Sequence, residues 1–361
     1  MDQQAMPNVP SALAPTRERE RVAPIRRRQE RHGEGHRPSA LKLWGAMGIL
    51  YVVWGSTYLG IAVSIETIPP FFMGAIRFAI AGAVLLAWEL LRHPGEMAWP
   101  SRREWRDSAI VGVLLLGIGN GFVALGERTV PSGIAAILIA MVPLWLAVFG
   151  WLYFRERLPR IVVVGVAIGL AGVALLVWPA GAGANAFDAF GIIVLMISPI
   201  AWSHGSLFSA RAAHLPRRPL VATSLQMLIA AVVLAVIGGL TGELAAFHPD
   251  AISARSLLAL AYLIVIGSML AFNAYAWLLR NAPLSLIGTY AYVNPVVAVA
   301  LGALFLAEPI SLRTVVAAAV ILAAVAMIVT ARGRLNRTAP AAAVSPGPST
   351  AASAPSAPAG T

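Results

Sequence analysis

Trp54 and Trp202 each lie midway along a long apolar run, where a membrane-spanning segment would be driest. An indole at such depth needs an acceptor for its N–H. Two indoles facing each other would make walls suited to aromatic or amphipathic solutes and to protonated or quaternary amines. The plainer account is core or lipid-facing packing, and for Trp145, at similar depth, the two accounts weigh equally. Polar residues in the same runs add to the pattern, because each is costly in hydrocarbon unless it meets a partner or water. Ser56 and Thr57 follow Trp54, and either could bond its own backbone carbonyl instead of a solute. Asn120 and Asn273 lie deep in two further runs, and Tyr290 and Asn294, spaced i, i+4, share one helical face beside Pro295. Arg77 is a full charge well inside a run. It could snorkel outward, pair with Glu66 or Glu127, or meet the carboxylate of an anionic or zwitterionic solute. His204, the other titratable group near mid-depth, could relay protons or serve as a neutral hydrogen-bonding wall. These residues outline a binding cavity, with no spacing for a metal, a cofactor or a catalytic group.

The chain that carries them is 58% hydrophobic and 12% charged, with a mean hydropathy of +0.76 over 361 residues. A soluble domain of this length cannot hide so much apolar side chain, so the composition predicts an integral membrane protein with the lipid bilayer as its partner. The lack of cysteine excludes disulfides, thiolate nucleophiles and cysteine-based zinc sites. The net charge of +11 does not imply nucleic acid, since the arginines sit in the tails and in alternate loops. Residues 1–40 are polar and basic, with no apolar core of a cleaved signal. Residues 338–361 form an Ala/Pro/Ser tail with nothing to pack. Both tails are expected to be disordered and cytoplasmic.

A spanning helix needs about 20 mostly apolar residues. Ten such stretches are predicted, at 43–64, 71–91, 108–127, 132–154, 160–178, 190–209, 220–239, 255–278, 284–306 and 312–331, and Ser101-Arg102-Arg103-Glu104 reads as a capping box before the third. With the N-terminus inside, the outer loops hold only Arg128, Arg255 and Arg313 of the 27 Lys and Arg residues, and Arg77 lies within a span. That imbalance predicts both termini in the cytoplasm.

The second half repeats the first. At one constant offset Pro131 meets Pro283, Pro143 meets Pro295, Gly150 meets Gly302, Glu156 meets Glu308 and Arg128 meets Arg280; with a small loop adjustment Trp54 meets Trp202 and Arg77 meets Gln226. Five spans per half is an odd number, so the second copy enters the membrane inverted, a mark of secondary transporters with a mid-membrane site. Pro143 and Pro295 are expected to bend the fourth and ninth spans as hinges beside that site, which hydrocarbon tolerates only where protein or a cavity satisfies the freed carbonyl. Glu156 and Glu308 are expected to turn toward the free N–H groups of the helix that comes after each. The glycines Gly165, Gly169 and Gly172 permit close packing, with a homodimer along the fifth span left open.

The segments WGSTYLG (54–60), AIRFAIAG (75–82), GNG (119–121), VPSGIAAILIAMVP (130–143), ISPIAWSHGSLFS (197–209), NAYAWLLRNAP (273–283) and YAYVNPVVAVALG (290–302) resemble the EamA family of the drug/metabolite transporter superfamily, in its branch of bacterial inner-membrane exporters. The resemblance covers about 41–331. It implies an all-α integral membrane protein of ten helices, built as two inverted five-helix repeats (41–180 and 188–331) around a central cavity lined by helices 1, 3, 4, 6, 8 and 9. It also implies alternating-access export of small organic metabolites, amino acids or drugs. It does not transfer a substrate, and coupling to protons stays open. A lipid-carrier flippase shares the fold and would show a basic lateral groove. An intramembrane enzyme would need a serine–histidine pair, paired aspartates or HExxH, and none of these is present.

Overall fold

The structure is a computed structural model that describes residues 39–95, 99–156, 158–177 and 188–338. The expectations placed on the two tails lie outside these residues, save at their inner edges. The chain divides into two compact units, Met1–Lys42 and Leu43–Thr361; of the first only residues 39–42 are described, and the helix bundle is built from the second.

Among the described residues, nine helices are long and apolar enough to cross a membrane: α1 (Ala40–Ser64), α2 (Pro70–Arg92), α3 (Arg102–Gly126), α4 (Ser132–Phe154), α5 (Arg160–Val177), α6 (Ala189–Arg211), α7 (Pro219–Leu240), α8 (Ala254–Asn281) and α10, apolar over Leu312–Ala331. The ninth crossing, α9, is shorter, Tyr290–Leu306, preceded by a single helical turn at Leu284–Ile287. The described residues contain no strand. The capping box forms as the sequence predicts, with the Ser101 hydroxyl accepting from the Glu104 N–H and the Glu104 carboxylate accepting from the Ser101 N–H.

Helix packing has the symmetry of an inverted repeat. α2 lies along α7, α4 against α9 and α5 along α10, each with its mate from the other half. α1 packs against α8 and α9 just as α6 packs against α3 and α4. The repeat also explains the spacing of glycine and glutamate noted in the sequence. Arg155 and Ala307 both end their helices in the left-handed conformation, at φ 51° and 53°. The N–H of Glu156 then reaches the Gly150 carbonyl (3.3 Å) and that of Glu308 the Gly302 carbonyl (3.2 Å), a six-residue C-terminal closure.

The Glu308 carboxylate does not point where the sequence suggested. Glu308 accepts from the Ser132 N–H and hydroxyl, each at 2.7 Å, and from the Gly133 N–H at 3.1 Å, so it caps α4. The helix after it is capped by its own Ser311, whose hydroxyl accepts from the Thr314 N–H. Glu156 forms an ion pair with Arg211. The reason for the difference is that α4 and α9 cross, which brings the end of one to the start of the other.

Helical regularity divides the bundle in two. α2, α5, α7 and α10 are continuous. In the remaining six the α pattern is disturbed. α1, α3 and α8 widen to i→i+5 bonding over Leu50–Trp54, Val113–Asn120 and Leu263–Phe272. α6 carries Pro199 inside it. α4 is interrupted at Ala140–Met141, just before Pro143, because the proline ring would clash with the carbonyl one turn back. α9 continues as helix through Pro295, and its interruption falls earlier, at Gly288–Thr289. These six are the helices the family resemblance assigns to the cavity.

Close helix contacts hold this arrangement. The glycine face of α5 is taken by α10: a methyl on Gly165 would stand 2.8 Å from Ile328, and one on Gly172 2.7 Å from Ile321. That face is therefore filled within the chain and not free for a second copy. Gly112 on α3 meets the α7 backbone, and a Cβ there would lie 2.5 Å from the Gln226 carbonyl oxygen, which cannot swing aside. Gly112→Ala should therefore lower the unfolding temperature of the detergent-solubilised protein, with overpacking of this kind costing about 1–3 kcal/mol. Gly117→Ala, whose nearest neighbour would be 3.8 Å away, should melt like the parent.

Candidate functional site

Five of the disturbed helices, α1, α3, α4, α6 and α9, with Arg77 of α2, line a small cavity of about 60 Å³; α8, which the resemblance also assigns to it, contributes none of its lining residues. The walls include Trp54, Tyr58, Arg77, Asn120, Trp202 and Tyr290. Trp54 ends the widened stretch of α1, and Trp202 stands three residues after Pro199 in α6. Their rings meet edge-on at 5.5 Å. Tyr290 meets Trp54 edge-on at 5.2 Å. Tyr275 backs the group, at 4.8 Å from Trp54 and 5.7 Å from Trp202. Its hydroxyl is fixed by Ser206 at 2.9 Å. Four rings from α1, α6, α8 and α9 thus form one cluster across the two halves. Pockets that hold drug-sized ligands run to roughly 300–1,000 Å³, so this cavity must widen to admit an organic solute of that size.

Much of the polar chemistry here serves the backbone. Where α1 widens, several of its carbonyls accept from side chains, in a setting where hydrocarbon offers no water. With its amide oriented so that nitrogen faces oxygen, Asn294 donates to the Leu50 and Tyr51 carbonyls at 3.2 Å. The Ser56 hydroxyl lies 3.0 Å from the Val52 carbonyl and 2.8 Å from that of Val53, and it also meets the Tyr262 hydroxyl at 2.6 Å. Thr57 donates to the Trp54 carbonyl at 2.7 Å. In α3 and α4 the donors come from α6: Ser198 to the Gly119 carbonyl, and Ser203 to the Val142 carbonyl at 2.9 Å.

Arg77 does something else. Its side chain reaches inward from α2 and the residue is only 4% exposed. Nε donates to the Ser268 hydroxyl of α8 at 2.8 Å, and Nη1 to the Asn120 amide oxygen of α3 at 3.2 Å. The guanidinium also lies 5.0 Å from the Phe78 ring centre. Among the described residues it has no carboxylate partner. Glu66 is paired instead with Arg255, at 3.5 Å, and the Glu127 carboxylate has no hydrogen-bond partner among the described residues. Snorkelling and both proposed ion pairs are thus replaced by a buried cation held by two neutral groups, facing the cavity.

Of the residues singled out from sequence, Trp54, Thr57, Arg77, Asn120, Trp202, Tyr290 and Asn294 line the cavity. Ser56, Trp145, His204 and Asn273 do not. Trp145 stacks on Phe149 at 6.0 Å, and His204 packs between Phe149 and Tyr153 at 5.5 and 5.3 Å. Asn273 donates to the Met269 carbonyl at 2.6 Å, one turn back in its own helix. Sequence reasoning passed over Tyr58, Ser198 and Tyr275. Tyr58 follows Trp54 by one helical turn, a spacing that could have found it; Ser198 and Tyr275 carry no comparable signal.

Comparison with known proteins agrees with this architecture. The model of the EamA-like transporter family matches residues 43–178 and again 189–330. The chain belongs to that family. Its relatives include the uncharacterized inner membrane transporter YedA of Escherichia coli K12, 40% identical over 290 residues that span 80% of this chain and 90% of YedA. An uncharacterized transporter of Archaeoglobus fulgidus is 24% identical over 300 residues, 81% of this chain and all of that one. A solved crystal structure superposes with a TM-score of 0.58 at 24% identity, covering 81% of this chain and 98% of the other; at that identity it shows a shared fold. The protein is a membrane transporter of the EamA type.

The carbonyl bonds carry a test. Asn294→Leu strips donors from two buried carbonyls and should cost about 1–3 kcal/mol, read as a lower unfolding temperature in detergent. Thr57→Val removes one bond within its own turn and should cost less.

Proposed function

We propose that this transporter exports small organic solutes bearing a carboxylate, by alternating access through the central aromatic cavity. The observation that carries the reading is Arg77. A buried guanidinium without a carboxylate is expensive, and here Nη2 has no hydrogen-bond partner among the described residues. A solute carboxylate arriving in the cavity would supply the missing charge through charge-assisted hydrogen bonds, while the Trp54 and Trp202 rings take its apolar part. The same cation repels protonated and quaternary amines, which removes one of the two solute classes the aromatic walls alone would suit. A flippase would need its basic group on a lateral groove, whereas Arg77 faces the interior.

The reading places the protein in a bacterial inner membrane, as for YedA, with both termini cytoplasmic. A growth screen tests the substrate class. Overexpression in a sensitive host should protect against toxic amino-acid analogues and not against cationic drugs, and Arg77→Gln should lose the protection while still reaching the membrane. Protection against cationic drugs that survives Arg77→Gln would overturn the carboxylate reading.

Orientation has its own check, made clean by the absence of native cysteine. Asp250→Cys, in the exposed segment between α7 and α8, should react with a membrane-impermeant thiol reagent in intact cells. Arg103→Cys, at the exposed start of α3, should react only after the membrane is opened. Labelling of both from one side would refute the topology.

A further inference from the structure

α8 is widened over Leu263–Phe272, yet none of its side chains lines the cavity. Widened turns of this kind are found mostly at functional sites. What this one touches is the cation. Gly267 and Ser268, consecutive and both buried in the widened stretch, meet the Arg77 guanidinium of α2. The Ser268 hydroxyl accepts from Nε at 2.8 Å. A methyl added to Gly267 would stand 3.1 Å from Nη2 of Arg77 and 3.0 Å from the Thr57 methyl of α1.

We propose that Gly267 and Ser268 are positioning residues that determine selectivity, by fixing which part of the Arg77 guanidinium a solute carboxylate can reach. The proposal rests on the carboxylate reading above and gives it a structural device. A guanidinium is a rigid planar fork of five N–H donors. Ser268 takes the Nε–H and the Asn120 amide oxygen takes one from Nη1, so two neutral groups from α8 and α3 stop the fork from turning without cancelling its charge. The nitrogen left without a hydrogen-bond partner among the described residues is Nη2, and it lies against Gly267. Having no side chain at 267 keeps that nitrogen uncovered.

The residue types follow from that task. Alanine at 267 would press on Nη2 and push the fork off its two bonds. An acid at 268 would neutralise the cation from within the protein, and an aliphatic residue there would leave Nε bare and the fork loose. Serine holds the cation and leaves its charge for the solute. Glycine at 267 also has a plainer use, close packing of α8 on Thr57. The two uses are separable, because only one of them needs the Arg77 side chain.

Two experiments on the full-length protein test this, and the first needs no solute. Gly267→Ala is made in the parent and in Arg77→Gln, whose shorter side chain ends before the guanidinium, and unfolding temperatures are compared in detergent. The loss caused by Gly267→Ala should be roughly halved in the Arg77→Gln background, since residues in contact do not act additively. Equal losses would leave only the packing on Thr57 and overturn the proposal. The second experiment reads selectivity, as protection against a toxic amino-acid analogue relative to protection against its carboxamide. Gly267→Ala and Ser268→Ala should each lower that ratio by about tenfold, the worth of one hydrogen bond to a charged group, and Ser268→Thr, which keeps the hydroxyl, should restore it. Poorer folding would lower both protections together and leave the ratio alone. A ratio that stays at the parent value in either alanine variant would overturn the proposal. A parent with no preference for the carboxylate would refute the carboxylate reading instead, and the melting comparison would still decide whether Gly267 makes room for the cation.

Discussion

In a bilayer no water is at hand to bond a stray carbonyl, and this one constraint organises the protein. A bundle of ten regular helices would satisfy its backbone completely and bind nothing. Six of these helices give up regularity, by widening, by proline or by interruption, and five of the six line one cavity. Some of the side-chain bonds to their carbonyls run between the halves. Asn294 of α9 serves α1, and Ser198 and Ser203 of α6 serve α3 and α4. The four remaining helices stay regular and provide the frame, with α5 and α10 sealed along a glycine face.

A backbone satisfied in this way is tied to a particular relation between the two repeats. If the halves rock, the donor of one half moves relative to the acceptor of the other. The cost is limited because many of the bonds are local. Thr57 and Asn273 bond within their own turns and travel with their helices, as Ser56 does apart from its link to Tyr262. The cross-repeat bonds, by contrast, must be remade in any other state. They are concentrated beside the aromatic cluster, where a cavity of about 60 Å³ must enlarge before a solute fits.

The sequence spoke most clearly where chemistry and periodicity coincide. Long apolar runs set the spans to within a few residues at most ends, and the recurrence of Pro, Gly and Glu at a constant offset disclosed the inverted repeat. The glycine-to-glutamate spacing proved to be a helix-closing motif. What one chain's order of residues could not disclose was which face a polar side chain takes. Ser56, Thr57 and Asn273 look alike from sequence, yet of the three only Thr57 reaches the cavity. Glu308 caps a helix far away in the chain, which no local pattern reveals. In the ninth span the helix runs unbroken through Pro295, and the interruption of the helical pattern lies earlier, at Gly288–Thr289.

The two repeats share a skeleton but not a charge. Arg77 on α2 has Gln226 on α7 as its counterpart, and the two sites differ in more than the side chain. On the α7 side the backbone at Gln226 is pressed against Gly112, with no space for an added methyl between them. On the α2 side the guanidinium spans toward Ser268 and Asn120 and reaches the cavity. A perfectly symmetric pair of repeats would present a solute with two equal ends. Under the carboxylate reading proposed above, a cation on one half alone would give a solute with a carboxylate and an apolar body one preferred way to lie. Under the export reading, the broken symmetry at this single pair is what turns a symmetric scaffold into a selective one.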